Sequence, residues 1–528
     1  METRLGRCNS VRPAGQFSKI LCARIFGTSR SPHHGAIGFL IMLTRVVLAG
    51  CLALPAVFSA HADWPQWRGP NRLGAIESDE LVASLPRDGL EPEWRFDGLP
   101  GGNSGGWGSP VISDGKVFVY AHTKEKTADP GEKKYPWLSP ENRTGMSDAE
   151  YEAYEEKRRA EDRRRANAFQ FEQRLVCLDL ETGELAWEQK SSGDYTRFTQ
   201  SGTPCVAEGK VLILGSGRIA CCYDATTGEL LWQQRLPGEF NDEFFASSFA
   251  VHDRVALIAC GPLFALSLSD GEILWNGQAE ADFPSHSSPA VWQHGQHSVA
   301  VCNTAGGRTV GYSLADGRLL WELKTGVERS SPIVAGDILL TYGGSRKNGL
   351  TAFQLNTDAA PKQLWQFRGA ADSGSTPVVS KGNVFVQGEK RLAKVALDDG
   401  DRIWQTTLRI STPKYTSPIV VGDQLLFAWE GVLAFAADSK DDQKLYEAKI
   451  DSDGRLITET DLREKLQMDA LEQEEDGRAK AEKVWQKNAI LSGPLRCSTP
   501  AFSRGRLVIR LNDALVCYDL RKDDAESN

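Results

Sequence analysis

A turn followed by a tryptophan, repeated at a nearly constant interval, constrains this chain more than any other feature. Residues 175–187 read LVCLDLETGELAW: an apolar run, an Asp, a Thr-Gly turn, and a Trp four residues after the Gly. The pattern returns as CCYDATTGELLW ending at Trp232, LSLSDGEILW at Trp275, YSLADGRLLW at Trp321 and VALDDGDRIW at Trp404, with the same Gly-to-Trp spacing. Looser copies end at Trp365 and Tyr446, and the intervals from Trp187 onward are 45, 43, 46, 44, 39 and 42 residues. A period in the low forties specifies a repeat architecture.

Each repeat dictates its own strands. Gly accepts positive φ without steric cost, so Asp-x-x-Thr-Gly or Ala-Asp-Gly between apolar runs is a hairpin turn. About half a repeat upstream of each Trp stands Ser/Thr-Pro before an alternating apolar run, at 109–110, 203–204, 288–289, 331–332, 376–377, 417–418 and 499–500. Ser248-Phe249 keeps the hydroxyl and loses the Pro. Pro at a strand's first residue removes a donor that would be unpaired anyway. A second tight turn follows, so each repeat supplies four short antiparallel strands, one propeller blade. Eight anchors predict an all-β, eight-bladed β-propeller over 92–522. One blade cannot bury both faces of its sheet, so Trp side chains packed between neighbours are expected to supply that contact. The last repeat, 496–522, has only three strands, and the segment Pro92-Glu93-Trp94-Arg95-Phe96 reads as the fourth, closing the ring and removing two sheet edges.

The remaining segments are read around this ring. Residues 1–41 form a basic extension. Residues 42–62 have the form of a secretory signal, with Arg45, the apolar VVLAGCLALPAVF and an Ala60-His61-Ala62 cleavage site. That places the protein outside the cytoplasm, periplasmic or extracellular. A rival reading puts a lipid anchor at Cys51, but Arg45 leaves little apolar sequence before it. The apolar run is too short to span a bilayer, and no transmembrane span is expected. Residues 63–91 open with DWPQWRGPNRLG, a Trp- and Pro-rich strap expected to pack on the propeller; 523–528 is a tail. Two charged helical insertions are expected, at 122–170 and 451–494. Ser147 with Glu150 makes a capping-box pattern on the first helix, which reads as mostly solvated. Thr458-x-x-Asp461 starts the second. Asp451-Ser-Asp453-Gly454 resembles part of a calcium loop, yet Lys449 and Thr460 stand where oxygen-rich ligands belong, so it is read as a turn. A net charge of −9 argues against a nucleic-acid partner.

The turn-and-Trp repeats over 92–522 resemble the pyrroloquinoline-quinone (PQQ) repeat family, and their simple form is similar to the propeller lipoprotein of outer-membrane protein assembly. Alcohol dehydrogenases of the same superfamily carry a vicinal disulfide beside a calcium-bound quinone, so the resemblance draws attention to Cys221-Cys222. Aligned by repeat, however, Cys222 matches Cys177 and Cys517, a position that takes small, soft core residues. No calcium–quinone ligand set can be assigned by motif, so no cofactor and no metal are expected, with PQQ and calcium the alternative.

A geometric site remains. Residues just before the anchors lead into the innermost strands and ring one mouth of the central channel. Three positions before the Pro stand Trp107, Ser201, Ala246, His286, Arg329, Gly374, Tyr415 and Cys497, with Lys414 and Arg496 one residue further back. The candidate ligand-binding residues are Trp107, His286, Arg329, Lys414, Tyr415 and Arg496, whose basic and aromatic character fits an anionic or carbohydrate-like ligand. The plainer account makes them solvated loop ends or hydrogen-bond partners for blade carbonyls. No nucleophile elbow, HExxH, phosphate loop or paired-carboxylate signature is present, so no catalytic residue is assigned. The expected function is a secreted, non-catalytic binding or assembly scaffold with a protein or glycan partner on a propeller face. The alternative is a PQQ-dependent alcohol or sugar dehydrogenase with the quinone at the channel mouth.

Overall fold

The computed structural model describes residues 63–139, 141–193, 202–238, 246–277, 286–304, 306–327 and 329–522. The basic extension, the signal segment, Cys51, Ser201 and the tail lie outside them. The described residues form eight sheets, one per blade. Blade 1 comprises Val111–Ser113, Lys116–Lys126, Phe169–Asp179 and Leu185–Ser192. Blades 2 to 6 repeat this order, starting from Cys205–Ala207, Ala250–His252, Ala290–His294, Ile333–Ala335 and Val378–Ser380. Blade 7, starting from Ile419–Val421, is widened to six strands by Ala75–Ile76 on its inner edge and Leu456–Thr458 on its outer edge. In blade 8 the three C-terminal strands are completed by Trp94–Asp97, which pairs antiparallel with Ala514–Asp519 as the outermost strand. The ring is thus closed as the sequence predicts.

In five repeats the Trp works between blades, on glycine rather than on another Trp. A Cβ built on Gly271 would lie 2.5 Å from the Trp232 ring, and one on Gly228 2.7 Å from Trp187. Gly183 on Trp94, Gly317 on Trp275 and Gly400 on Trp365 repeat the contact. These turn glycines also have positive φ, so two independent constraints select the same residue. The indole N–H then donates to a carbonyl just before the turn: Trp94 to Leu180 (2.8 Å), Trp232 to Leu268 (3.2 Å) and Trp365 to Leu397 (2.9 Å). Trp404 faces a turn without that glycine; the equivalent carbonyl, of Ala437, accepts from Lys394 Nζ (2.6 Å) instead, and Trp404 Nε1 is left without a partner.

The residue opposite each repeat Trp, or opposite Tyr446 in its place, is small in seven of eight cases. Cys177 faces Trp187, Cys222 faces Trp232, Ala265 faces Trp275 and Cys517 faces Trp94. Cys222 therefore belongs to the blade 2–3 core, while Cys221 packs into the blade 1–2 core on the other side of the sheet. Both are free thiols, and burial pushes them up to about 11 and about 12.

The strap is more deeply placed than a surface strap. Trp64 O accepts from Ile112 of blade 1 (2.8 Å), Pro65 O from Val206 of blade 2 (2.7 Å), Leu73 O from Val379 of blade 6 (2.9 Å) and Gly74 O from Val420 of blade 7 (2.9 Å). A segment that pairs with the inner strands of blades 1, 2, 6 and 7 crosses the ring, so residues 64–76 plug the channel. Gly74 has φ +77°, and a Cβ there would strike the Arg68 guanidinium.

Both insertions rise from the face on which the inner strands begin. The first helix, Asp148–Ala166, carries the expected Ser147–Glu150 capping box. Most of it is solvated, as expected, but one face is buried: Arg158 is 2% exposed, paired with Glu155 and Asp162, and Glu161 accepts the N–H groups of Lys134 and Tyr135. Internal charge pairing lets an apolar-poor helix bury one face. At 451–454 Asp451 Oδ1 accepts from the N–H groups of Asp453 and Arg455, and its Oδ2 from Lys465 Nζ (2.6 Å). This is a turn closed by its own aspartate.

Two predictions follow from blade contacts. Trp232→Ala removes a ring sandwiched between blades and is expected to destabilise by roughly 3–5 kcal/mol, read as a lowered Tm. Removing 63–97 takes away the closing strand and the plug together, and is expected to give aggregation or loss of cooperative unfolding; a monomer melting like the intact chain would refute closure.

Candidate functional site

The anchors build the site. In seven of the eight, the Ser or Thr hydroxyl accepts the backbone N–H of the anchor residue one blade earlier: Ser109 N to Thr203 Oγ1 (3.0 Å), Thr203 N to Ser248 Oγ (2.9 Å), Ser248 N to Ser288 Oγ (2.9 Å) and Ser288 N to Ser331 Oγ (2.8 Å). Ser331 N to Thr376 Oγ1, Thr376 N to Ser417 Oγ and Thr499 N to Ser109 Oγ continue the belt. Between blades 7 and 8 the bridge lies earlier in the chain, from Cys497 N to Thr416 Oγ1 (3.2 Å). The repeated anchor is thus a hydrogen-bonded ring about the channel axis. It explains why the position demands a hydroxyl more strictly than a proline.

Above this belt lies a cavity of about 560 Å³. Its wall includes Ser109, Thr203, Ser248, Ser288 and Ser331, and Trp67 of the plug lines it as well. The channel mouth is therefore a cup, floored by the plug. Of the candidate residues, Trp107, His286, Arg329 and Tyr415 line it, together with Ala246, Gly374 and Cys497 from equivalent positions. Lys414 and Arg496 do not. The Arg496 guanidinium sits 4.7 Å from the centre of the Trp429 ring, and Lys414 is exposed. One residue further from the anchor is enough to turn a side chain off the cup wall. Trp67 and Asn103 were not foreseen; the strap's second Trp was the available signal.

Local backbone supports these positions. Tyr415 has φ +60° and lies over Gly374, where a Cβ would be 2.0 Å from its ring. Asp372, 7% exposed, fixes this corner by accepting from the N–H groups of Gly374 (2.8 Å), Ser375 (2.6 Å) and Tyr415 (3.2 Å). Burial raises its carboxyl above the ordinary value, and the three amides oppose that shift. Arg510, 0% exposed, donates to the carbonyls of Gly108, Tyr120, Pro100 and Gly105 and so holds the segment that carries Asn103 and Trp107. Arg68, also 0% exposed, donates to Pro418 O (2.7 Å) and Pro377 O (2.5 Å) and locks the floor to blades 6 and 7. Burial, aided by Arg72, lowers Arg68 to about 9. Burial lowers His286 to about 4, with Arg329 adding to the effect, so its imidazole is neutral at pH 7.

The donor set can be tested against a calcium–quinone pair. Calcium takes 6–8 oxygen ligands with carboxylates among them. Among the described residues no carboxylate lines the cup, Asp372 is spent on three amides, and no group of three His, Cys, Asp or Glu suited to a metal occurs. The described lining residues do not fit the pair.

Fold and site together define an eight-bladed propeller whose central channel is crossed by residues 64–76 and carries a cup at one mouth. A sequence profile described as outer membrane protein assembly factor BamB matches residues 171–360 and 326–471, more than half of the chain. The chain belongs to this family of PQQ-like propellers. No curated protein matches it. Among solved structures it is similar to BamB from Moraxella catarrhalis, at 12% identity and a TM-score of 0.44, covering 66% of this chain and 89% of that one. A europium-containing methanol dehydrogenase is similar at 13% identity and a TM-score of 0.48, covering 73% and 85%. The quinohemoprotein alcohol dehydrogenase from Comamonas testosteroni gives 13% and 0.40, covering 87% and 80%. No residue role is carried across at such identities. Among the described residues no helix is long and apolar enough to cross a membrane.

The buried histidines set a pH dependence. His286 is lowered to about 4 and His122 to about 3, both chiefly by burial. Below the unfolded value of 6.5, the unfolded chain takes up protons that the folded chain refuses. Stability is therefore full above pH 6.5 and falls as the pH drops toward 4. The turn aspartates with lowered values, such as Asp224 and Asp270, act only from about 3.8 downward. Replacing both His122 and His286 with Gln is expected to flatten Tm between pH 6.5 and 4.5; an unchanged slope would show that these histidines are not the cause.

Proposed function

We propose that this protein is an exported, non-catalytic binding scaffold, and that the cup is its ligand site. The observation that carries the reading is the lining: aromatic rings, hydroxyls, a neutral imidazole and a guanidinium converge there, and no carboxylate joins them among the described residues. Such groups can hold an anionic or carbohydrate-like ligand through stacking and charged hydrogen bonds, and the one imidazole, lowered to about 4 by burial, is only a weak base. The reading includes neither quinone nor calcium. Export to the periplasm or the cell exterior, by the signal at 42–62, accords with a family described by an outer-membrane assembly factor. A protein or glycan partner on a propeller face is part of the same proposal.

The decisive experiment adds PQQ and calcium to the purified protein and follows reduction of an artificial electron acceptor with alcohols or sugars. No substrate-dependent reduction is expected. Quinone-dependent turnover lost in Cys221→Ser would replace the scaffold with a dehydrogenase. A ligand bound in the cup is expected to lose about 1–3 kcal/mol of affinity on Arg329→Ala, the range for a lost charged hydrogen bond.

A further inference from the structure

The plug carries more than closure. Arg68 and Arg72 flank Trp67, each guanidinium carbon 5.8 Å from the indole centre. Their partners are neutral: Pro377 O and Pro418 O for Arg68, Phe249 O (2.9 Å) and Gln66 Oε1 (3.1 Å) for Arg72. Arg68 Nε and Arg72 Nη2 are buried without a hydrogen-bond partner. Desolvation lowers the pair to about 9 and about 10, so both stay charged at neutral pH. Two positive charges thus lie against the floor of the cup with no carboxylate paired to them. In a medium of low effective dielectric their field extends into the cavity.

The hydrogen-bonding capacity of the wall has a matching bias. Each of the five wall hydroxyls already accepts a backbone N–H, which leaves it one O–H to donate and a single further lone pair. Arg329 can only donate. A neutral sugar needs acceptors for its hydroxyl protons as much as donors, whereas the charged groups at this cup, Arg329 in its wall and Arg68 and Arg72 behind its floor, offer only donors. A ligand rich in acceptors and negatively charged satisfies it. Trp67, Trp107 and Tyr415 add flat apolar faces suited to a ring.

We propose that the cup receives a ring-shaped carboxylate of the sugar-acid class, with the plug as the receptor: Trp67 gives the stacking floor, and Arg68 and Arg72 give the charge. The inference rests on the cup being a ligand site and adds the class of ligand. The test is calorimetric titration of the protein with digalacturonate, the matching neutral disaccharide, inorganic phosphate, and PQQ without calcium. Digalacturonate is expected to bind, with the neutral disaccharide weaker by about tenfold or more. Arg329→Gln, on the exposed rim, and Arg72→Gln are each expected to weaken digalacturonate by about fivefold or more, and Arg496→Gln to leave it unchanged. Equal binding of the neutral disaccharide, phosphate binding as tightly as the uronate, or PQQ displacing it would overturn the sugar-acid inference while leaving a ligand cup in place. If no probe binds, both readings fall. Should Arg72→Gln fail to fold, Arg329→Gln and the neutral disaccharide still decide.

Discussion

The belt of hydroxyl-to-amide hydrogen bonds about the channel axis is the constraint from which the rest of the molecule follows. Each link joins the start of one inner strand to the start of the next, as from Thr203 N to Ser248 Oγ at 2.9 Å. It fixes how close the blades come at their inner edge, while the Trp-on-Gly contacts fix them farther out. With both radii set, the residues preceding each anchor have no choice but to converge. The cup is a by-product of closing the ring, and its character is then decided by what each blade happens to offer at one position.

That convergence was legible in the sequence, because it depends on counting. The period gave the blades, and the offset from the anchor placed Trp107, His286, Arg329 and Tyr415 together. The same counting failed one residue away: Arg496 found the Trp429 ring, a local attraction that no spacing rule contains. The plug was legible only as a segment too aromatic to be solvated. Its partners are backbone groups of inner strands, such as Val206 and Val379, and a backbone amide leaves no mark in a sequence. For the same reason Asp372 and Arg510 were invisible as supports, since carbonyls and amides are what they hold. The helix at Asp148–Ala166 hid its buried face because charge pairs, not an apolar stripe, line it.

The vicinal cysteines show why position within a repeat outweighs a local motif. Adjacent residues on a strand lie on opposite faces of the sheet. Cys221 and Cys222 accordingly enter two different inter-blade cores, and Cys222 has the same duty opposite Trp232 that Ala265 has opposite Trp275. A chemical feature dissolves into a packing requirement once the sheet is drawn.

The closing strand Trp94–Asp97 has a temporal consequence. It is made early in synthesis, yet its partner, Ala514–Asp519, is among the last segments of the propeller to exist. The belt has the same property at Ser109 and Thr499, which are 390 residues apart in sequence. Until the final blade is complete, an unpaired strand at one end waits for a three-stranded sheet at the other, and the chain carries two open edges able to recruit a neighbour. Long-range pairing of this kind is slow and exposes aggregation-prone edges. For this protein the hazard is greatest between the emergence of the first blade and the release of the last. A chaperone that shields strand edges would act in that interval, and a truncated chain would never leave it.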